Sequence, residues 1–337
     1  EEAIRIAGLD RIEATPLPRL HSAVPAPVLT LLQKRTRAAK RELASRGLVE
    51  AVTWSFISAE EATRFGGGKP ALKLANPIAA DLSDMRPSLL PGLVKAARRN
   101  SDRGFGDVAL FEVGQIFADE TDDGQFMQAA GIRRGLARAE GVGRHWDGGA
   151  RAVNVFDAKA DVFGLLTALG VPVGGLQLVP GGPSWYHPGR SATLQFGPKM
   201  VVGAFGELHP RVLEALGVDG PVHAFEIILD AIPAPKLRPT KVKPKLDLAE
   251  LQPVTRDFAF LVSAETRAED ILKVARGIDR QLVANVTLFD VYDGKGMEPG
   301  RKSIAIEVRL QPREKTLTDA DIEAFSSKLV AEMAKKT

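Results

Sequence analysis

Five residues toward the end of the chain could together hold an unpaired nucleotide: Asp290, Tyr292, Arg301, Lys302 and Ser303. They lie in two short runs, 288–294 and 300–307, separated by a turn rich in Gly and Pro, a pattern that predicts a β-hairpin. Alternation with period two puts Asp290 and Tyr292 on one side of the first strand. On the second strand, Ile304, Ile306, Val308 and Leu310 form one face and Ser303, Ala305, Glu307 and Arg309 the other. A phenol ring can stack on a base, a carboxylate and a hydroxyl can bond a base edge, and Arg301 and Lys302 at the rim can meet phosphate. The same residues also fit an ordinary hairpin with a solvated face, and composition by itself favours that plainer reading.

Other chemistry is sparsely signalled. The 337 residues contain no cysteine, which excludes disulfides, zinc-thiolate sites, iron–sulfur clusters and thiol nucleophiles, and fits a reducing compartment. His21, His145, His187, His209 and His223 show neither an i, i+4 pair nor a His-x-Glu spacing, so no transition-metal site is signalled. No Gly-x-Ser-x-Gly elbow is present. Gly66-Gly67-Gly68 lacks the Lys-Ser/Thr that completes a phosphate cradle. Trp185-Tyr186-His187-Pro188-Gly189-Arg190 fits either a pocket lining or a rigid turn packed by its aromatics. Glu1 and Glu2 fit either part of a magnesium site or a helix surface. Net charge is +3, mildly basic, which does not by itself establish a nucleic-acid partner. No apolar run is long enough to cross a bilayer, and no signal peptide is visible. The chain opens on Glu1-Glu2 without Met, so a fragment of something longer is expected.

The elements that must position these residues read as two domains. Residues 28–46 predict a helix stopped by Gly47, with Leu29, Leu32, Ala39 and Leu43 recurring at helical spacing. A strand is expected over 48–57 and another over 72–75. Ser88 is a candidate cap for a helix running through Asn100. Residues 108–117 read as a strand buried on both faces for part of its length. Residues 127–139 fit strand and helix alike. A helix over 157–169, a hairpin over 191–196 and 201–205, a short helix over 209–216 and a strand over 224–229 follow. Residues 231–250 carry four prolines among basic residues and predict a stiff linker. Beyond it come a strand over 254–262, a helix opened by a Thr266–Glu269 capping box, the hairpin, and a helix opened by Thr318 and Asp321. That order, βαββα, is a split βαβ, ferredoxin-like domain short of its last strand.

Taken together, four stretches resemble one family, the β chain of bacterial phenylalanyl-tRNA synthetase, over essentially the whole chain. Residues 1–10 resemble the close of a winged-helix-like domain. Asn76-Pro77, Met85-Arg86-Pro87-Ser88-Leu89-Leu90-Pro91-Gly92 and 110–117 resemble the synthetase-like core, continued by 187–192 and 206–210. Thr255-Arg256-Asp257, 288–294 and 300–303 resemble the anticodon-binding domain. The resemblance implies an α+β fold: a class II synthetase-like antiparallel sheet with flanking helices, then a ferredoxin-like βαββα(β) domain. It implies domains over 1–20 (tail), 21–230 (core), 231–250 (linker) and 251–337 (anticodon binding). It also implies that the core is a catalytic relic, since Ala118 and Asp119 follow Phe117 where an active class II site has an ATP-gripping Arg. Catalysis would fall to an α chain, in an α2β2 heterotetramer that binds ATP and magnesium and charges the phenylalanine tRNA. The helix over 28–46 matches the family's interface element. Asp290, Tyr292 and Ser303 match positions that contact the anticodon guanine. Glu1 and Glu2 match half of a magnesium site whose other carboxylates lie upstream. A cytoplasmic location is expected, with no DNA or membrane partner. A stand-alone RNA-binding or regulatory paralogue and an active adenylate-forming enzyme are the competing readings.

Overall fold

The computed structural model describes residues 2–13, 15–16, 28–137, 151–235, 245–246 and 248–336. His21, His145 and half of the proposed linker, 236–244 and 247, lie outside the described residues. The chain divides into two units, Glu1–Leu237 and Arg238–Thr337.

The first unit holds α1 (Glu2–Ala7), α2 (Leu31–Ser45), β1 (Val49–Glu50), β2 (Phe56–Ile57), α3 (Ala59–Arg64), β3 (Asp84–Met85) and α4 (Leu90–Ser101). Then follow β4 (Val108–Phe117), β5 (Gln125–Arg134), α5 (Val155–Ala168), β6 (Gln177–Pro180), β7 (Tyr186–Gln195), β8 (Val201–Leu208), α6 (Pro210–Ala215) and β9 (His223–Ile228). Seven strands form one sheet in the order β1-β4-β5-β9-β8-β7-β6. Its pairings are antiparallel except β1 with β4.

Helix α2 starts at Leu31 rather than at residue 28 because a reciprocal cap sets its first turn. Thr30 Oγ1 accepts from the Gln33 N–H at 3.1 Å, and Gln33 Oε1 accepts from the Thr30 N–H at 3.0 Å. Gly47, at φ +82°, ends it as expected. One face of the large sheet packs under α4, with Leu89, Leu93, Ile132 and Ala224. The other packs under α2 and α5, with Leu43, Phe111, Leu166 and Phe225. Phe111, Glu112 and Val113 are buried consecutively, so β4 is covered on both sides over that stretch.

Three local expectations are corrected. The single strand over 48–57 is broken into β1 and β2, which join different sheets. Between them the Arg86 guanidinium takes the Thr53 carbonyl at 3.3 Å and the Trp54 carbonyl at 3.5 Å, acceptors a continuous ladder would have used. Residues 72–75 form no strand. Pro70 opens a 3-10 turn over Pro70–Leu72, and only Lys73 bridges to Asp84. Thr266 does not cap a helix, because its N–H bonds the Ser263 carbonyl in a turn and the helix begins two residues later. The ambiguous 127–139 stretch is strand β5 as far as Arg134, fixed by pairing to β4 and β9 on its two sides, and its last two residues lie outside the described residues. Ser88 acts one position early: its Oγ accepts from the Leu90 N–H at 3.1 Å.

Buried polar groups tie the elements. Arg86 Nη1 meets Glu112 Oε1 at 2.8 Å with both side chains almost fully buried, and Thr53 donates to Glu112 Oε2 at 2.7 Å. Buried Asp161 on α5 pairs with Arg46 beyond α2 and with Arg133 on β5, at 2.9 and 2.6 Å.

The second unit holds β10 (Val254–Ser263), α7 (Ala268–Gly277), β11 (Val283–Tyr292), β12 (Arg301–Leu310) and α8 (Asp319–Lys336). Its sheet runs β10-β12-β11, antiparallel throughout. Ile271, Ile304, Ile306, Val308, Phe325 and Leu329 form its core between the sheet and the two helices. The fold class is α+β, with the antiparallel sheet and flanking helices of the first unit and the βαββα order of the second both as expected. Among the described residues no helix is long and apolar enough to cross a membrane.

Candidate nucleic-acid interface

The side of the small sheet away from α7 and α8 is open, and its cross-strand rows are set by register. Leu261, Ser303 and Tyr292 form one row across β10, β12 and β11. Ala259, Ala305 and Asp290 form the next, and Asp257, Glu307 and Thr287 the one beyond. Side chains in adjacent positions of a row stand about 5 Å apart. The structure therefore brings Asp290, Tyr292 and Ser303 together. Leu261 and Tyr292 rise at the ends of their row, 51% and 46% exposed, over a floor of Ser303 and Ala305. Leu261 was missed in the sequence. Its signal is a large apolar residue where the alternation of β10 otherwise puts the small or polar Thr255, Asp257, Ala259 and Ser263.

Asp290 reaches this face through an irregularity. Leu288 pairs with Ile306, on the buried face, and Asp290 pairs with Ala305, on the open one. A regular strand would put residues two apart on the same side. The register shift between them leaves Phe289 unpaired, a β-bulge that re-aims everything after it.

The two cations part company. Arg301 shares the parity of Ser303, and its Nε lies 3.5 Å from Glu298 Oε2. Lys302 shares the parity of buried Ile304, and its ammonium donates to the Ala264 carbonyl at 2.7 Å. Only Arg301 belongs to the open face. The Tyr292 hydroxyl donates to the Lys295 carbonyl at 2.8 Å, within the hairpin loop.

Elsewhere the candidates resolve differently. Glu1 lies outside the described residues. Both carboxylate oxygens of Glu2 are engaged by Arg5, which holds that carboxyl below its usual range. Among the described residues no group of three or more carboxylates or imidazoles is placed to hold a metal ion. The Trp185–Arg190 run is held from inside the fold. The Trp185 indole N–H donates to Glu226 Oε1 at 2.8 Å, Tyr186 is buried, and Arg190 pairs with Glu207 at 2.7 Å. The β4–β5 loop contains Asp119, Glu120, Asp122 and Asp123 and no basic residue.

Residues 17–229 match a family profile described as phenylalanyl tRNA synthetase beta chain CLM domain, and residues 249–337 match the ferredoxin-fold anticodon binding domain. The chain is 58% identical over 337 residues to the phenylalanine–tRNA ligase beta subunit of Bradyrhizobium diazoefficiens, covering 100% of this chain and 42% of that one. It is likewise 58% identical, over 338 residues, to that of Rhodopseudomonas palustris, with the same coverage. The chain thus spans about two fifths of the length of these relatives. Among solved structures, the pyrrolysyl-tRNA synthetase of Desulfitobacterium hafniense is similar at 16% identity and a TM-score of 0.44, covering 59% of this chain and 66% of that one. The family profile over 17–229, with the second profile ending on the hairpin unit, makes this chain a member of the phenylalanyl-tRNA synthetase β-chain family.

Proposed function

We propose that this chain is the non-catalytic, anticodon-contacting part of a phenylalanine–tRNA ligase β subunit. It packs against a catalytic α chain, in a family α2β2 assembly, and holds the phenylalanine tRNA during ATP-dependent charging. The core is placed over 21–230, the linker over 231–250 and the anticodon domain over 251–337, with 1–20 as the tail of a preceding winged-helix-like domain. A cytoplasmic location goes with this role, and neither DNA nor a membrane is a partner.

The observation that carries the reading is the open row of Tyr292 and Ser303 with Asp290 beside it, in a segment that matches an anticodon-binding domain. A base can stack on the Tyr292 ring while the carboxylate and hydroxyl accept or donate at its edge. Arg301 is the cation placed to meet a phosphate there. The core is read as unreactive because its β4–β5 loop presents four carboxylates where a triphosphate would need cations. Packing against an α chain is supported by Val52 and Trp54, 87% and 72% exposed on the segment that follows α2. ATP and magnesium are assigned to the assembly, with Glu1 and Glu2 as this chain's share of a magnesium site.

The test is ATP–pyrophosphate exchange and tRNA binding measured side by side. The chain alone is expected to give no exchange, and the α/β assembly to lose tRNA affinity when Tyr292 is replaced by Ala. Exchange by the chain alone would overturn the assignment of catalysis to the α chain. Unchanged tRNA affinity would remove the open face from the interface.

A further inference from the structure

We propose that Gly294 and the Lys295 carbonyl are positioning elements that hold the Tyr292 ring as a preformed platform for one unpaired RNA base. The inference rests on the reading of this face as the anticodon site. Tyr292 is the last residue of β11, an edge strand, where a large exposed ring would otherwise sample several rotamers. Its hydroxyl is instead anchored to the Lys295 carbonyl at 2.8 Å, three residues further along the loop.

Gly294 makes that anchoring sterically possible. A Cβ at this position would stand 2.9 Å from the ring Cζ, 2.9 Å from the hydroxyl oxygen and 3.0 Å from Cε2. Such approaches are closer than carbon and ring atoms tolerate, so the ring lies against bare backbone. The glycine is not there for its dihedral freedom. Gly296 and Gly300 in the same loop have φ of +99° and +79°, whereas Gly294 is not among the positive-φ glycines. What position 294 requires is the lack of a side chain beneath the phenol.

Two consequences follow for recognition. The hydroxyl proton is committed within the loop, so the contribution of Tyr292 to a base is chiefly its π-face. A ring already held in place loses little rotamer freedom on binding, which leaves more of the stacking energy as affinity. Gly294 touches no base in this arrangement and acts only through Tyr292.

A mutant cycle in the assembled α/β enzyme, read as the dissociation constant for phenylalanine tRNA, tests this. Tyr292→Ala is expected to weaken binding roughly fivefold to hundredfold, the span of base–aromatic stacking. Gly294→Ala should weaken it several-fold in the wild-type background and not at all in the Tyr292→Ala background. A general effect on the hairpin would appear equally in both. Tyr292→Phe, which keeps the ring and loses the anchor, should fall between wild type and Tyr292→Ala. It also decides the matter if Gly294→Ala disturbs the hairpin fold, monitored by hydrogen exchange of β11 and β12. The positioning role is overturned by a harmless Gly294→Ala, by an equal loss in both backgrounds, or by wild-type affinity in Tyr292→Phe. A harmless Tyr292→Ala would instead remove the anticodon reading on which the proposal stands.

Discussion

Tyr292 and Ser303 stand directly opposite one another across the β11–β12 ladder, and the unpaired Phe289 is what brings Asp290 to the same side as both. Without that bulge the strand could not bury Leu288 against Ile306 and also present Asp290 beside Ala305. Deleting Phe289 would make Leu288 and Asp290 neighbours, which a regular strand sends to opposite faces, so Leu288 stays buried and Asp290 and Tyr292 stay on the open face. That variant should keep tRNA affinity close to wild type. Deleting Val291 instead makes Asp290 and Tyr292 neighbours, so one of them must turn toward the core, and tRNA affinity should fall at least as far as in Tyr292→Ala. Wild-type affinity in the Val291 deletion would show that the two side chains need not share a face.

Arg301 and Lys302 are adjacent in sequence but serve opposite faces, so their replacement should give different signatures. Each single-strand phosphate neutralised by a cation contributes about 0.7 to the slope of log affinity against log salt. Arg301→Ala should lower that slope by roughly this amount. Lys302→Ala should leave the slope alone and loosen the turn after β10, where its ammonium holds the Ala264 carbonyl. Equal slope changes in binding titrations from low to high salt would place both cations on phosphate.

In the first unit the Arg86–Glu112 pair joins the segment before α4 to the centre of β4 with both groups out of water. Removing one member leaves the other charged and unpartnered, which typically costs about 3–5 kcal/mol. Glu112→Leu should therefore destabilise strongly in denaturant unfolding and free the Thr53–Trp54 segment that Arg86 grips. Gly114 is a related weak point, since a Cβ there would stand 2.7 Å from Arg86 Nη2. A Glu112→Leu variant within about 1 kcal/mol of wild type would mean the site relaxes around the loss.

Much of this was legible in the sequence, and the remainder was hidden for identifiable reasons. Strand β4 was readable because its residues are apolar on both faces and bounded by turn residues. The hairpin was readable from period two and its Gly/Pro turn. Nothing in Leu288-Phe289-Asp290 marks a bulge, because any of the three residues could be the unpaired one until β12 fixes the register. The grouping of Arg301 with Lys302 ignored the alternation that places neighbours on opposite faces. The break between β1 and β2 depends on Arg86, some thirty residues away, and no local pattern encodes that contact. Gly294 was read as turn punctuation, whereas its role depends on where the Tyr292 ring lies.

Glu226 gives a prediction whose sign can be worked through. On β9 it is buried and accepts from Ser88 Oγ at 2.8 Å, from Gln128 Nε2 at 3.1 Å and from the Trp185 indole at 2.8 Å. All three donors are neutral. Burial pushes its carboxyl above the usual range, although the hydrogen bonds from these donors pull the other way. The folded state therefore binds more protons than the unfolded state between the ordinary carboxylate value and the raised one. Stability must fall as pH rises through that window and recover as pH falls. Asp157, Glu207 and Asp321 are shifted downward by Arg151, Arg190 and Thr318, so their contributions are lost only as pH falls below the ordinary range. Glu226→Gln removes the titration and keeps one accepting oxygen, but sets an amide N–H against a donor. Leaving one buried donor unsatisfied costs about 1–3 kcal/mol. The stability of wild type minus that of Glu226→Gln should thus be positive at the acid end of that window and decline as pH rises through it. A difference that rises with pH would mean the carboxylate is stabilised in its charged form, and the neutral donors around it would then be doing the work of a cation.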